Sequence, residues 1–172
     1  MRKTGLLVLL AAVLLSSCAS IPEGFTPVNN FELEKYLGKW YEIARFDFTF
    51  EKDLNNTTAE YSLNKDGSVK VVNRGFNYVK NEQEEAVGKA KFRGSKDVAE
   101  LKVSFFGPFY AGYNVIALDE NYQYALVAGD SLDYLWILSR TKTIPEEVKN
   151  NYLDIARLGG YDTSRFVWVE HD

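Results

Sequence analysis

Residues 57–79, TTAEYSLNKDGSVKVVNRGFNYV, decide the fold. Thr57, Ala59, Tyr61 and Leu63 alternate with Thr58, Glu60, Ser62 and Asn64, the period-two signature of a half-buried strand. Lys65-Asp66-Gly67 supplies a hairpin turn, and Ser68 to Val79 continues the alternation on the returning strand. Outward from this hairpin the pattern repeats. Gly38 to Phe48 is rich in Trp, Tyr, Ile and Phe, and Glu85 to Phe92 sets Ala86, Gly88, Ala90 and Phe92 against Glu85, Val87, Lys89 and Lys91. Ala99 to Phe105, Ala111 to Leu118, Tyr122 to Ala128 and Tyr134 to Ser139 follow, separated by turn residues. Eight consecutive up-and-down strands predict an all-β, eight-stranded antiparallel barrel, because closure removes the edges an open sheet would expose.

The alternation breaks once. Ile144-Pro145-Glu146-Glu147 opens a helix, with Thr143 expected as N-cap and acids at the positive end of the dipole. Val148, Tyr152, Ile155 and Ala156 recur at helical spacing, and Gly159-Gly160 stops it. This C-terminal helix is expected to pack outside the barrel, followed by a short last strand at Phe166 to Val169.

Composition narrows the function. The chain has 172 residues, enough for one domain, and is 46% hydrophobic, which supports a full core. Its formal charge is −4, and a mildly acidic chain lacks the basic face that phosphate backbones require, so no nucleic acid partner is expected. The single cysteine excludes an internal disulfide, and the single histidine, His171, argues against a His-built metal site or haem. No cofactor, no metal and no catalytic residue is expected: Ser104 and Ser139 lack a base, and Glu84-Glu85 reads as a solvated turn.

The N-terminus is an address. Arg2 and Lys3 precede an apolar run from Leu6 to Leu15 that is too short to span a bilayer of roughly 30 Å. Leu15-Ser16-Ser17-Cys18 resembles the bacterial lipoprotein signal, which implies removal of residues 1–17 and lipidation of Cys18. Several acyl chains anchor stably where one does not. Ala19, which is not Asp, implies sorting to the outer membrane, with the body facing the periplasm; cleavage takes the charge from −4 to −6. Residues 18–30, with Pro22 and Pro27, read as a lipidated tether, and residues 31–172 as the barrel domain.

Three further stretches resemble the lipocalin family. Gly38-Lys39-Trp40 is similar to the G-x-W motif that starts the first lipocalin strand. Asp119 to Tyr124 resembles the second motif, with Leu118 where Thr is usual, and Arg140 resembles the third. The wording around Trp40 and around Trp136 is closest to the bacterial outer-membrane members. The resemblance implies that Gly38, Trp40 and Arg140 close one barrel end structurally, with Arg140 across the indole.

An eight-stranded barrel is either filled by its own side chains or wide enough for one small ligand. Small residues on the expected inward face, Ala59, Gly75, Gly88, Ala90 and Ala99, favour a cavity. Tyr61, Asn73, Ala90, Phe92, Val103, Phe105, Tyr113 and Trp136 are the candidate ligand contacts. The expected function is a membrane-anchored carrier for a fatty acid or lysophospholipid, with lipid anchor, outer membrane and a homodimer among its expected partners. An Arg or Asn near the mouth would suit a carboxylate or phosphate. Phe48, Phe50, Phe106 and Phe109 are expected around the open end as an aromatic lip. The alternatives are a lipocalin-fold enzyme acting on a lipid or isoprenoid, and a structural lipoprotein with a filled barrel.

Overall fold

The computed structural model describes residues 20–172; the expected signal and Cys18 lie outside them. Nine strands form one antiparallel sheet: β1 (Gly38–Phe46), β2 (Leu54–Leu63), β3 (Val69–Asn77), β4 (Glu82–Phe92), β5 (Glu100–Ser104), β6 (Ala111–Leu118), β7 (Tyr124–Ala128), β8 (Leu135–Ser139) and β9 (Phe166–Trp168). Sequential neighbours pair from β2 round to β8, β8 pairs β1, and β1 pairs β2, which closes an eight-stranded barrel. The ninth strand lies on the flank of β1, from Ala44 to Phe46. It takes the side of β1 that β2 leaves above Tyr41, where the β1–β2 register ends.

Burial follows what packs outside. β4 alternates buried and exposed positions, as a strand with one wet face must. β7 and β8 are apolar on both faces because helix α2 (Glu146–Leu158) covers them. Its Tyr152, Leu153 and Ala156 are buried against Ile43, Leu126, Leu135 and Ile137, and the Tyr152 hydroxyl donates to the Tyr124 carbonyl at 2.9 Å. The helix begins two residues later than the expectation. Pro145 occupies the N-cap, and the Thr143 carbonyl instead accepts from the Ser139 and Thr141 hydroxyls.

Two features escaped the sequence pattern. A one-turn helix α1 (Leu33–Tyr36) precedes β1 and plugs one end of the barrel, its Tyr36 buried. Residues 20–30, expected as a free tether, are bonded to the barrel. Val28 donates to Val115 O and its carbonyl accepts from Ala99 N, both at 2.9 Å; Phe25 packs on Tyr161; Asn114 Nδ2 donates to Ser20 O at 2.8 Å. An extended strap needs few hydrogen bonds and tolerates Pro22 and Pro27 where no N–H is required. Barrel, strap and helix close on one another within residues 20–172.

Candidate functional site

The closed end is built on Trp40. Its Nε1 donates to the Tyr36 carbonyl at 2.8 Å, and the Arg140 guanidinium lies 3.9 Å from the indole centroid. Arg140 donates to the carbonyls of Lys35, Tyr36, Leu37, Lys39 and Tyr122. A cation over an aromatic face contributes about 0.5–2 kcal/mol, and this one also satisfies the C-terminal carbonyls of α1. Gly38 enters the strand with φ +92°, a conformation that disfavours any side chain. Asp119 accepts from the backbone N–H of Asn121, Gln123 and Tyr124, so the second motif is a turn clamp between β6 and β7.

Above this plug the barrel is hollow. A cavity of about 710 Å³ opens at the other end, within the range of small-molecule sites. Its floor carries Tyr61 and Tyr113, whose hydroxyls lie 2.7 Å apart, with Tyr36 a further 2.7 Å from Tyr113 below. Burial pushes all three phenols above their ordinary ionisation range, so the floor is neutral. The walls are Ala59, Val71, Val103, Phe105, Val127 and Leu138. Gly88 makes room for one of them: a Cβ there would meet the Phe105 ring at 2.8 Å.

Six of the eight candidate contacts, Tyr61, Asn73, Val103, Phe105, Tyr113 and Trp136, line this cavity. Ala90 and Phe92 sit lower. Ala90 borders a separate void of about 10 Å³ at the plugged end, and Phe92 meets Phe31 edge-on at 6.2 Å. Alternation distinguishes inward from outward but not depth along a tilted strand. Phe48, Phe50, Phe106 and Phe109 ring the mouth, with Phe48 against Tyr134 and Trp136 and Phe50 against Phe106. Phe50, Phe106 and Phe109 remain more than half exposed, at 67%, 63% and 80%.

The polar part of the site lies between β1, β2 and the 47–53 loop. A β-bulge between Glu42 and Ala44 turns Glu42 and Arg45, three residues apart, toward the same interior. Arg45 Nη1 donates to Glu42 Oε1 at 2.8 Å, and Thr57 Oγ1 donates to the same oxygen at 3.1 Å. Arg45 Nη2 donates to the carbonyls of Glu51 and Leu54, lacing the loop to the wall. Arg45 itself does not line the cavity. The Arg considered for an anionic head group is therefore spent on structure.

Glu51 was not anticipated, because it lies in a loop that carries no periodic signal. Its Oε2 accepts from Trp136 Nε1 at 3.1 Å, and its carboxyl lines the cavity. Burial, reinforced by the charges of Glu42 and Asp47, pushes its pKa to about 8 against the help of Trp136 and Arg45. Glu42 is also raised by burial, with Arg45 and Thr57 opposing.

Fold and cavity together define an antiparallel eight-stranded barrel plugged at one end and hollow toward the other, and sequence comparison places it: residues 31–171 match the lipocalin-like domain, and the chain belongs to that family. It is 54% identical to the outer membrane lipoprotein Blc of Escherichia coli K12 over 162 residues, 93% of this chain and 92% of that protein. It is 47% identical to the Blc of Vibrio cholerae, covering 94% and 95%. Its place, like theirs, is the bacterial outer membrane, held there by a lipid anchor. Among solved structures, insecticyanin of the tobacco hornworm Manduca sexta superposes with a TM-score of 0.69 at 22% identity, covering 89% of this chain and 87% of that one. The cockroach allergen Per a 4 gives 0.70 at 19% identity, with 90% and 96% covered. At those identities the likeness concerns the fold.

Proposed function

We propose that the protein is a membrane-anchored carrier that holds one amphiphilic lipid, a fatty acid or lysophospholipid, inside the barrel for storage or transport in envelope maintenance. The observation that carries this reading is the cavity of about 710 Å³, apolar along its walls, floored by neutral phenols and open at one end. A filled structural barrel would leave no such volume. The reading is of binding, not catalysis. Tyr61, Asn73, Val103, Phe105, Tyr113 and Trp136 are the ligand contacts, and Trp40 and Arg140 are structural. Residues 1–17 are the signal, and Cys18 carries the acyl anchor. Ser20 lies near the mouth, its carbonyl accepting from Asn114 and its Oγ donating to Glu100, so the anchored residue is tied to the body by only a short link.

Mass spectrometry of lipids that copurify with the Cys18→Ser chain, expressed without its signal, tests the carrier. A stoichiometric single-chain lipid is expected, and reversible binding of a fluorescent fatty acid should compete with it. A barrel that copurifies with none and binds none overturns the reading.

A further inference from the structure

The exposed apolar side chains of the loops are gathered at one end. We propose that the rim of the open end is a bilayer-docking surface, and that the strap holds it against the membrane so that the cavity mouth faces the acyl layer. The inference goes beyond the carrier reading and takes from it only Cys18 as the anchored residue.

The four loops at the open end, 47–53, 78–81, 105–110 and 129–134, present Phe50, Val79, Phe106, Phe109 and Leu132 to solvent. The three strand-joining turns at the plugged end, 64–68, 93–99 and 119–123, present no large apolar side chain, and the Tyr122 ring there is buried. Apolar side chains scattered singly over a surface are ordinary, whereas a ring of them at one end marks a contact. Phe50 packs on Phe106 with ring centroids 5.4 Å apart, so the ring spans the mouth from the β1–β2 loop to the β5–β6 loop. The exposed Leu158 ends α2 on the same side: a Cβ on Gly160 would stand 3.7 Å from Leu132.

Where the chain leads decides what covers this ring. Ser20, the first described residue, is docked at the rim. Its carbonyl accepts from Asn114 Nδ2 at 2.8 Å and lies against Gly112, where a Cβ would come within 2.8 Å of it. Gly112 stands three residues after Phe109, at the mouth end of β6. The strap then turns at Pro22, whose carbonyl accepts from the Phe25 N–H, and Phe25 packs on Tyr161 beside the end of α2. Cys18 precedes Ser20 by two residues, a reach of at most about 7 Å. Acyl chains on Cys18 therefore enter the bilayer beside Phe109, and a strap bonded along the barrel keeps the plugged end turned away. A second copy seated on the ring would cap the mouth, whereas a bilayer offers it an amphiphile already dissolved in the acyl layer.

The attraction is apolar. The four loops carry Lys52 and Lys80 against Asp47, Glu51, Asp53, Asp130 and Asp133, so an anionic surface gains nothing from their charge. Neutral lipid is accordingly the surface that fits, and salt, which screens exposed charges, should leave the contact in place.

The test uses the lipidated full-length chain in phosphatidylcholine vesicles that carry a nitroxide on the lipid acyl chain. Acylation blocks Cys18, so Phe109→Cys and Lys96→Cys each offer one free thiol for an environment-sensitive fluorophore. The label at position 109 is expected to shift to shorter wavelength and to be quenched about fivefold or more over the label at position 96, at low and high salt alike. Equal quenching at the two positions, or quenching at position 96 alone, overturns the docking. In the signal-free Cys18→Ser chain, which has no anchor, replacing the exposed Phe50, Phe106 and Phe109 together by Ser should lower flotation with the same vesicles by about tenfold or more. Unchanged flotation overturns the ring as the contact. A shift at position 109 that needs no vesicles and grows with protein concentration makes a second copy the occupant and overturns the bilayer. A full-length chain that stays out of the vesicles with Cys18 free overturns the anchor and the docking with it, and leaves lipid binding in the cavity standing.

Discussion

Replacing Glu51 by Gln should stabilise the protein, and only above acid pH. The unfolded chain ionises this carboxyl near its ordinary value of 4.5, whereas the native protein holds the proton to about 8. Below pH 4.5 both states are protonated and the group is neutral in its effect. As pH rises from 4.5 to 8 the unfolded state loses the proton and the native state keeps it, so unfolding is progressively favoured. At pH 7.5 the gap is about three units, and one unit is about 1.36 kcal/mol, which gives an upper figure of about 4 kcal/mol. Part of this belongs to Glu42, whose charge is among the causes, so we expect a gain of about 2–3 kcal/mol for Glu51→Gln at pH 7.5 and less than about 0.5 at pH 4.5. Gln keeps an oxygen for Trp136 Nε1 and matches the volume, so no cavity or unpaired donor confuses the comparison. Urea unfolding followed by tryptophan fluorescence at the two pH values measures it. Equal effects at both, or a loss at pH 7.5, would refute the reasoning. Stability withheld at a ligand-facing group is the pattern expected of a functional site.

Arg140→Ala should cost about 3–5 kcal/mol, because five carbonyls lose their donor and Trp40 its covering cation, and chemical denaturation should show it while lipid affinity changes less than about threefold. Ala59→Trp should fill the cavity and weaken binding of a fluorescent fatty acid by about tenfold or more, whereas Ala90→Trp, beside a void of only about 10 Å³, should lower the melting temperature instead. Equal loss of affinity in both would mean that the cavity floor lies lower than Tyr61 and Tyr113. Cys18→Ser should move the protein from the membrane to the soluble fraction after a salt wash, and retention there would remove Cys18 as the anchor.

What was legible in the sequence is what a period can carry. The hairpin at Lys65-Asp66-Gly67 and the alternation on either side of it give β2 and β3, and the register pairs Tyr61 with Val71 as that turn requires. Six inward residues reach the cavity because in and out are encoded two residues apart. Ala90 and Phe92 are inward but too deep, since depth depends on strand tilt and shear, which are properties of the closed barrel. The strap failed for a related reason. Val28 and Phe25 are single apolar residues among prolines and small residues, and their docking places between β5 and β6 and against Tyr161 exist only once the barrel has formed. Glu42 and Arg45 are the sharpest case: strict alternation puts residues three apart on opposite faces, and the bulge between Glu42 and Ala44 reverses that.

The two ends of the barrel handle a buried cation in opposite ways, and the difference explains why one end is shut and the other usable. At the closed end Arg140 faces only carbonyl dipoles and an indole face, so its charge has no carboxylate partner among the described residues and keeps partial access to solvent. Such an arrangement locks backbone to backbone across α1, β1 and the β6–β7 turn and leaves nothing for a ligand to bind. At the open end Arg45 is 1% exposed and must have a counter-charge, since an isolated buried ion would cost several kcal/mol. Glu42 supplies it, and the remaining guanidinium donors tie down the Glu51 and Leu54 carbonyls where β1 and β2 part. β9 fills the flank of β1 that β2 leaves, and the 47–53 loop, which joins β1 to β2 at the open end, carries Glu51 to the cavity. Glu51 finds the nearby cation already neutralised by Glu42. With no cation left to pair with among the described residues, its carboxyl keeps its proton to about pH 8 and faces the cavity as a neutral hydrogen-bonding group beside Trp136, while the volume below it stays apolar-walled and open.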